Sequence, residues 1–538
     1  MIDARTAADV RAAEGPLLAR ERGFGGGLME RASFALATAV LGELAALRGD
    51  RGRGRGGVSG ARVVGLIGPG SNGGDALHAM AFLARRGVEV LAVLTAGRAH
   101  AGGLAAVRAA GGRVVSVAGV GAPGSDPEVW IGDAVVEALG ADVVLDGLLG
   151  IGSRGGLTGE AAQLVLLLAE LRAQTAAGPG TSPPGTRGAP VVVAVDLPSG
   201  IGVDDGRVEG PVLAADLTVT FGCAKPGLLL PPAAHATGRL TVVDLGLGPV
   251  LEEQGSRPAV VRLGVREAAG MWPVPPETAH KYQRGVVGVV AGAAAYPGAA
   301  VLTVRGALGA GVGMVRYLGP PDVERAVLAA HPEAVAGVGR VQSWVLGPGI
   351  DPTDATKAVK ITGALQQALA DGHPAVVDAG ALGLLHDRVG PQVVLTPHAG
   401  ELARLLVERG VEVSREQVES EPVRWAREAQ VRTGATVLLK GAVTVVVGPD
   451  EVLAQADAPR WLATAGAGDV LAGLLGAILA GRADDVRRDP GLAAHLAALA
   501  ALVHGRAAHR ACPGGPVTAT DVADALPATI AELLGGDR

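Results

Sequence analysis

The chain is poor in cysteine, aromatic residues and charge. Two cysteines in 538 residues, Cys223 and Cys512, cannot build a disulfide framework and lack metal-ligand spacing. Both read as small buried hydrophobes of a protein in a reducing compartment. Aromatics make up 2% of residues, which leaves few platforms for stacking bases, and a net charge of −6 excludes a chain-wide nucleic-acid surface. An apolar run of membrane length is also missing. Residues 285–304 are uncharged over 20 positions, but Pro297-Gly298 interrupts them, so they read as buried strand, loop and helix. Met1-Ile2-Asp3-Ala4-Arg5 has no apolar core of a secretory signal, and a cytoplasmic protein is expected. What is abundant is small and apolar. Hydrophobic residues reach 49% against 19% charged, which excludes a disordered chain. Glycine and proline number 84 and 34 without a Gly-X-Y period, which excludes collagen. The length implies about two to four domains.

Short Val-rich runs bounded by glycine alternate with Ala/Leu segments of helical length. Val63–Gly68, Val88–Leu94, Val143–Asp146 and Val191–Asp196 read as strands buried on both faces, hence a parallel sheet covered by helices. Residues 249–279, with Pro249, Pro258, Pro273, Pro275 and Pro276, interrupt the pattern with one short strand expected at Ala259–Leu263, and hold the domain boundary. The same grammar then restarts with Val286–Val290, Val341–Leu346, Ala375–Asp378, Val393–Thr396, Thr436–Lys440 and Thr444–Val447. Residues 49–60, Gly/Arg-rich, and 175–190, Gly/Pro/Thr-rich, read as mobile loops.

In the first half, strand 63–68 runs into Gly68-Pro69-Gly70-Ser71-Asn72-Gly73-Gly74-Asp75 and then a helix. Gly68, Gly70 and Gly73 satisfy the dinucleotide fingerprint, with Glu89 following, but Asp75 would face a pyrophosphate with like charge. The rival is a polar pocket in which glycine amides bind an anionic group and Asn72 and Asp75 offer oxygens. Three more strand ends share that rim, because a parallel sheet puts its carboxyl ends on one edge. They are Asp146 with Gly147-Leu148-Leu149-Gly150-Ile151-Gly152, Asp196 with Leu197-Pro198-Ser199-Gly200, and Lys225-Pro226-Gly227. One Asp at a strand end serves equally well as a helix cap; three such loops point to a site.

These motifs, in this order, resemble the NAD(P)H-hydrate epimerases, and Leu28-Met29-Glu30-Arg31-Ala32 fits that family's leading helix. The resemblance covers residues 1–248 and implies a Rossmann-like three-layer αβα domain. It implies that Ser71, Asn72, Gly73, Gly74, Asp75, Gly150, Ile151 and Gly152 hold the hydrated nucleotide. It further implies that Asn72, Asp146 and Ser199 hold a potassium ion (K+), and that Asp196 is the carboxylate at the reacting ring. Ser71 stands where the family has Asn, and Ala76 where it has Gly; the role of Lys225 stays open.

In the second half, Ala463-Thr464-Ala465-Gly466-Ala467-Gly468-Asp469 opens a helix whose Leu471, Leu474, Leu475, Ile478 and Leu479 form one apolar face packed inward. Free Gly-Ala-Gly amides at a helix start make an anion site, and Asp469 beside a transferring phosphoryl group can take a proton from an acceptor hydroxyl. The alternative is a plain Asp cap. The motif resembles that of the ribokinase superfamily. His280–Gly285, Tyr296-Pro297-Gly298-Ala299-Ala300, Leu346–Gly349, Val377-Asp378-Ala379, Leu395–Glu401 and Leu439–Ala442 narrow the likeness to ADP-dependent NAD(P)H-hydrate dehydratases over residues 270–535. That likeness implies a second, ribokinase-like αβα domain. Ala299, Gly349, His398 and Asp469 would contact the hydrated nucleotide, with Asp469 catalytic. Lys440, Gly441, Ala442, Val443, Thr444 and Gly468 would contact the adenine nucleotide.

The resemblances imply a bifunctional α/β enzyme, with an epimerase domain at 1–248, a linker at 249–269 and a dehydratase domain at 270–538. Its cofactors would be ADP as phosphoryl donor, Mg2+ and K+. Its partners would be small molecules and copies of itself in a homo-oligomer, not nucleic acid or membrane. One rival is a vitamin-precursor kinase of the ribokinase type fused to a noncatalytic nucleotide-binding domain; product analysis separates the two.

Overall fold

The computed structural model describes residues 1–21, 25–50, 57–121, 126–176, 188–351, 355–385 and 388–535. They form two compact units, Asp3–Ala259 and Val260–Arg538 with Met1–Ile2. The segment 249–269 is more than a connector. It carries a helix, Gly248–Glu253, then a strand, Val260–Arg262, and a second helix, Val265–Met271. The loops read at 49–60 and 175–190 lie largely outside the described residues; their first residues close the helices Leu28–Asp50 and Gly159–Ala176. Among the described residues no helix is long and apolar enough to cross a membrane. Both cysteines are free and half-buried rather than buried.

The first unit holds an all-parallel sheet in the order Glu128–Val129, Arg113–Val117, Glu89–Leu94, Arg62–Ile67, Val143–Gly147, Val191–Val195, Leu217–Phe221 and Arg239–Val243. Alternation along Arg62–Ile67 shows why the strands read as continuously apolar. Val63 and Ile67 pack against the helices Leu28–Asp50 and Ser71–Ala84, while Val64 and Leu66 pack against Ile131–Leu139 and Gly159–Ala176 on the other face. The strand order reverses between Arg62–Ile67 and Val143–Gly147, so the loops leaving these two strands open a crevice at the carboxyl edge.

The second unit orders its strands Val260–Arg262, Val452–Gln455, Thr444–Val447, Thr436–Leu439, Val393–Leu395, Ala375–Val377, Ser343–Leu346, Val286–Val290, Met314–Tyr317 and Val335–Ala336. The sheet is mixed rather than parallel throughout, because Thr436–Leu439, Thr444–Val447 and Val452–Gln455 run antiparallel through tight turns. Here the order reverses between Val286–Val290 and Ser343–Leu346.

The helix Ala467–Gly481 corrects the expectation of one inward face. Ala467 and every residue from Val470 to Ala480 are buried. The helix is enclosed on all sides, as a helix apolar all round must be. Glycines make the enclosure possible. A Cβ at Gly473 would overlap the Thr303 carbonyl oxygen of the helix Pro297–Gly309, and one at Gly476 the Val345 side chain. Gly473→Val should therefore destabilise the second unit by ~1–3 kcal/mol, the usual cost of overpacking. Urea unfolding followed by tryptophan fluorescence checks this, and an unchanged midpoint would show that the two helices separate freely.

Candidate functional site

At the first crevice the glycines serve close approach between loops. A Cβ at Gly68 would overlap the Leu148 carbonyl oxygen, and one at Gly73 the Gly68 carbonyl oxygen, whereas Gly70 faces open space. Gly150 sits against Asn72, where a Cβ would lie 3.0 Å from the Asn72 Cβ. Ala76 is fully buried, and its Cβ meets Gly147 where that residue's own Cβ would fall, 2.8 Å away. Loop contact therefore explains Gly68 and Gly73 without a pyrophosphate.

Asn72, Asp146 and Ser199 come together. Asn72 Nδ2 donates to the Leu149 carbonyl at 2.7 Å. Ser199 donates from Oγ to Asp146 Oδ1 at 2.6 Å and from its amide to Oδ2 at 2.8 Å, while the Leu149 amide donates to Ser199 Oγ at 2.9 Å. Asp146 is fully buried, which raises its pKa against the lowering effect of these bonds, and no Lys or Arg pairs with it among the described residues. Ser71 and Gly152 are exposed at the rim. Ile151 packs beside Val10 and Ala13 of the helix Ala7–Leu18, and its carbonyl accepts from Arg11 at 2.9 Å.

Asp196 ends its strand in the left-handed region, with φ 65°. A backbone held there by its surroundings is the kind of strain that collects at functional sites. Its Oδ1 accepts from Thr220 Oγ1 at 2.9 Å, from the Phe221 amide at 3.1 Å and from the Lys225 ammonium. Two further carboxyls face this pair. Burial, then Asp196 and Glu14, push the Asp75 pKa well above the ordinary range; burial raises Glu14 too, against Lys225. Glu14 escaped the sequence reading because a lone Glu on an amphipathic helix looks like a solvated one.

In the second unit, Ala299 and Gly349 meet where the strand order reverses: a Cβ at Gly349, whose φ is 63°, would overlap the Ala299 Cβ. Asp469 stands in the first turn of its helix behind Gly466, a left-handed cap at φ 84°. Lys440 Nζ would lie 3.4 Å from a Cβ at Gly468 and reaches Asp378 Oδ1 at 2.8 Å and Glu401 Oε2 at 3.7 Å. Thr396 Oγ1 also donates to Asp378 Oδ1, at 2.8 Å. Burial works against the Lys440 ammonium, but Asp378, Glu401 and Asp469 outweigh it and raise its pKa. Burial and the neighbouring Asp378 push Asp469 up to about 7, with Lys440 opposing. Asp378 and Glu401 carry this charge network although the sequence reading gave them no role; their motifs were visible, their convergence was not.

His398 caps the helix Ala399–Val407. Its Nδ1 accepts from the Gly400 and Glu401 amides at 3.0 and 3.3 Å, and Glu401 accepts from the His398 amide at 2.8 Å. Gly441, Ala442 and Val443 turn the chain from Leu439 to Thr444; Gly441 and Ala442 are exposed, while Val443 is buried.

A family model described as NAD(P)H-hydrate dehydratase matches residues 287–528, and one described as the YjeF-related protein N-terminus matches residues 25–227. The bifunctional NAD(P)H-hydrate repair enzyme of Mycobacterium tuberculosis is 41% identical over 488 residues, 88% of each chain. The chain belongs to the bifunctional NAD(P)H-hydrate repair enzymes. The family member of Mycobacterium leprae is 40% identical over 490 residues, again 88% of each chain. Among solved structures, an ADP/ATP-dependent NAD(P)H-hydrate dehydratase from Bacillus subtilis is 24% identical and covers 51% of this chain and 98% of its own, with a TM-score of 0.44.

The Asp146–Ser199 contact yields a test of its own. Ser199→Ala removes the Oγ donor but keeps the amide, so the first unit should lose ~1–3 kcal/mol, as for a buried polar group deprived of a partner. A urea midpoint unchanged from the parent chain would show that Asp146 does not depend on that hydroxyl.

Proposed function

We propose that residues 1–248 interconvert the two epimers of hydrated NAD(P)H, that residues 270–538 dehydrate the S epimer with ADP, and that 249–269 join the two. The observation that carries this reading is Asp469: a carboxylate at a glycine-lined helix start, titrating about 7, with Lys440 at its side. A general base is most effective when its pKa lies near the working pH. Asp469 takes the proton of the ring hydroxyl as its oxygen bonds to the β-phosphorus of ADP, and AMP leaves. The carbon–oxygen bond of the phosphorylated ring then breaks, phosphate departs, and the neighbouring carbon loses a proton to restore NAD(P)H. Transfer first is sensible chemistry, since phosphate is a far better leaving group than hydroxide. The Gly466–Gly468 amides and Lys440 offset phosphate charge, Lys440–Thr444 border the adenine nucleotide, and Ala299, Gly349 and His398 border the hydrated one. Asp378, Glu401 and Asp469 around one ammonium leave excess negative charge, which suits Mg2+ carried in with the nucleotide.

In the first unit the hydroxyl-bearing ring carbon also bears the ring nitrogen. Asp196 takes the hydroxyl proton, the C–N bond opens to an aldehyde, and nitrogen keeps the electron pair. Closure on the other face reverses these steps and inverts the centre. Ser71–Asp75 and Gly150–Gly152 border the nucleotide. Asn72, Asp146 and Ser199 supply only oxygen, with one buried carboxylate lacking a cationic side chain. That weak-field set suits K+ rather than Mg2+ or Zn2+, and the ion would balance Asp146 and the nucleotide phosphates.

With mixed-epimer NADHX, ADP and magnesium, the chain should release NADH, AMP and phosphate; a stable phosphorylated product would overturn the assignment in favour of a kinase. Asp469→Asn should slow NADH release ~10²–10⁴-fold with ADP affinity nearly intact. Because the base works deprotonated, the parent rate should rise as pH increases through about 7, and Asp469→Asn should lose that limb. Asp196→Ala should still consume the S epimer while the R form decays only spontaneously. Equal rates for both epimers would contradict its role.

Epimerisation should be faster in potassium than in choline buffer at fixed ionic strength. Identical rates in potassium, sodium and choline would remove the ion.

A further inference from the structure

Lys225 is the most deeply buried cation of the first unit among the described residues, at 1% exposure. Its ammonium donates to Asp196 Oδ1, to Thr220 Oγ1 at 3.0 Å and to the Phe221 carbonyl at 2.9 Å, which uses all three of its protons. Thr220 and the Phe221 amide converge on the same Asp196 oxygen. Three donors thus crowd Oδ1, and among the described residues Oδ2 receives none. Stability alone is a poor reason to bury such a pair, because well-packed apolar residues commonly replace one without loss. The pair also sits behind a strained backbone, at a strand end on the rim of the crevice.

We propose that Lys225 is a positioning residue for epimerisation: together with Thr220 and the Phe221 amide it pins Asp196 Oδ1, so that Oδ2 alone is presented to the substrate hydroxyl. The proposal rests on the reading of Asp196 as proton acceptor. Lys225 touches no substrate in this scheme, since every proton it has is engaged. It also supplies the one ammonium among acids. Glu14 faces the pair from the helix Ala7–Leu18 and Asp75 from Ser71–Ala84, with Arg11 near Glu14, and Arg5 and Cys223 also close. Without Lys225, Asp196 would share a buried space with two other carboxyls and no ammonium.

The test uses the full-length chain and isolated R-NADHX without ADP, so that the second unit is silent, and follows the R-to-S conversion by chromatography. Lys225→Met should lower kcat ~10²-fold with KM within ~3-fold, the signature of a misplaced proton acceptor, and should move the acid limb of kcat upward by ~1 pH unit or more. Thr220→Val removes one donor and should act in the same direction, ~10-fold in kcat. If Lys225→Met fails to fold, Thr220→Val decides. A kcat within twofold and an unmoved acid limb in the variant that folds would overturn the proposal, as would loss of activity without movement of that limb. Asp196→Asn keeps the two questions apart. An active Asp196→Asn overturns the role of Asp196 itself, whereas an inactive one beside a Lys225→Met of parental kcat and pH profile overturns only the positioning role.

Discussion

In both units a site exists because two loops at a reversal of strand order approach to a distance that only glycine allows. Gly68 lies against the Leu148 carbonyl, and Gly349 against Ala299. Each loop leaves the carboxyl end of a neighbouring parallel strand, and the reversal turns their helices to opposite faces and leaves a crevice between them. Side chains at either position would push the loops apart and separate the polar groups beyond them. In the first unit this closeness carries Asn72 to Leu149, and Leu149 to Ser199, so that a fully buried Asp146 finds its donors.

The two sites then treat their carboxyls differently. Asp469 is raised by burial and by Asp378, with Lys440 restraining the rise, and so titrates about 7, where a base is useful. Asp196 has its cation in direct contact and buried, with hydroxyl and amide donors fixing one oxygen. Around it Glu14 and Asp75 are pushed upward.

Much of the fold was legible. Val-rich runs bounded by glycine marked the strands, since strands buried on both faces must be apolar throughout. Three features were not. The antiparallel strand Val452–Gln455 uses the same apolar residues as a parallel strand. The helix Ala467–Gly481 shows a 3.6-residue stripe, but small residues elsewhere on its surface let other helices enclose it. And 249–269, broken by prolines, showed only its short strand in the sequence, while the helices on either side of that strand did not show.

By itself the sequence determined the strand-end motifs, hence which residues stand on each rim: Asn72, Asp75, Asp146, Asp196 and Ser199 on one, Ala299, Gly349, His398 and Lys440 on the other, and it marked Asp469 at a helix start. Motifs are local, and a parallel sheet aligns their ends whatever the order of its strands. Only the tertiary structure decided which of them meet and in what ionic company. Glu14 reaches the Asp196 cluster from a helix far away in sequence, Asp378 and Glu401 gather on Lys440, and Lys225 turns inward to Asp196 rather than outward to solvent. Burial and opposite charge set these partnerships, and both depend on distances that arise only once the loops have closed.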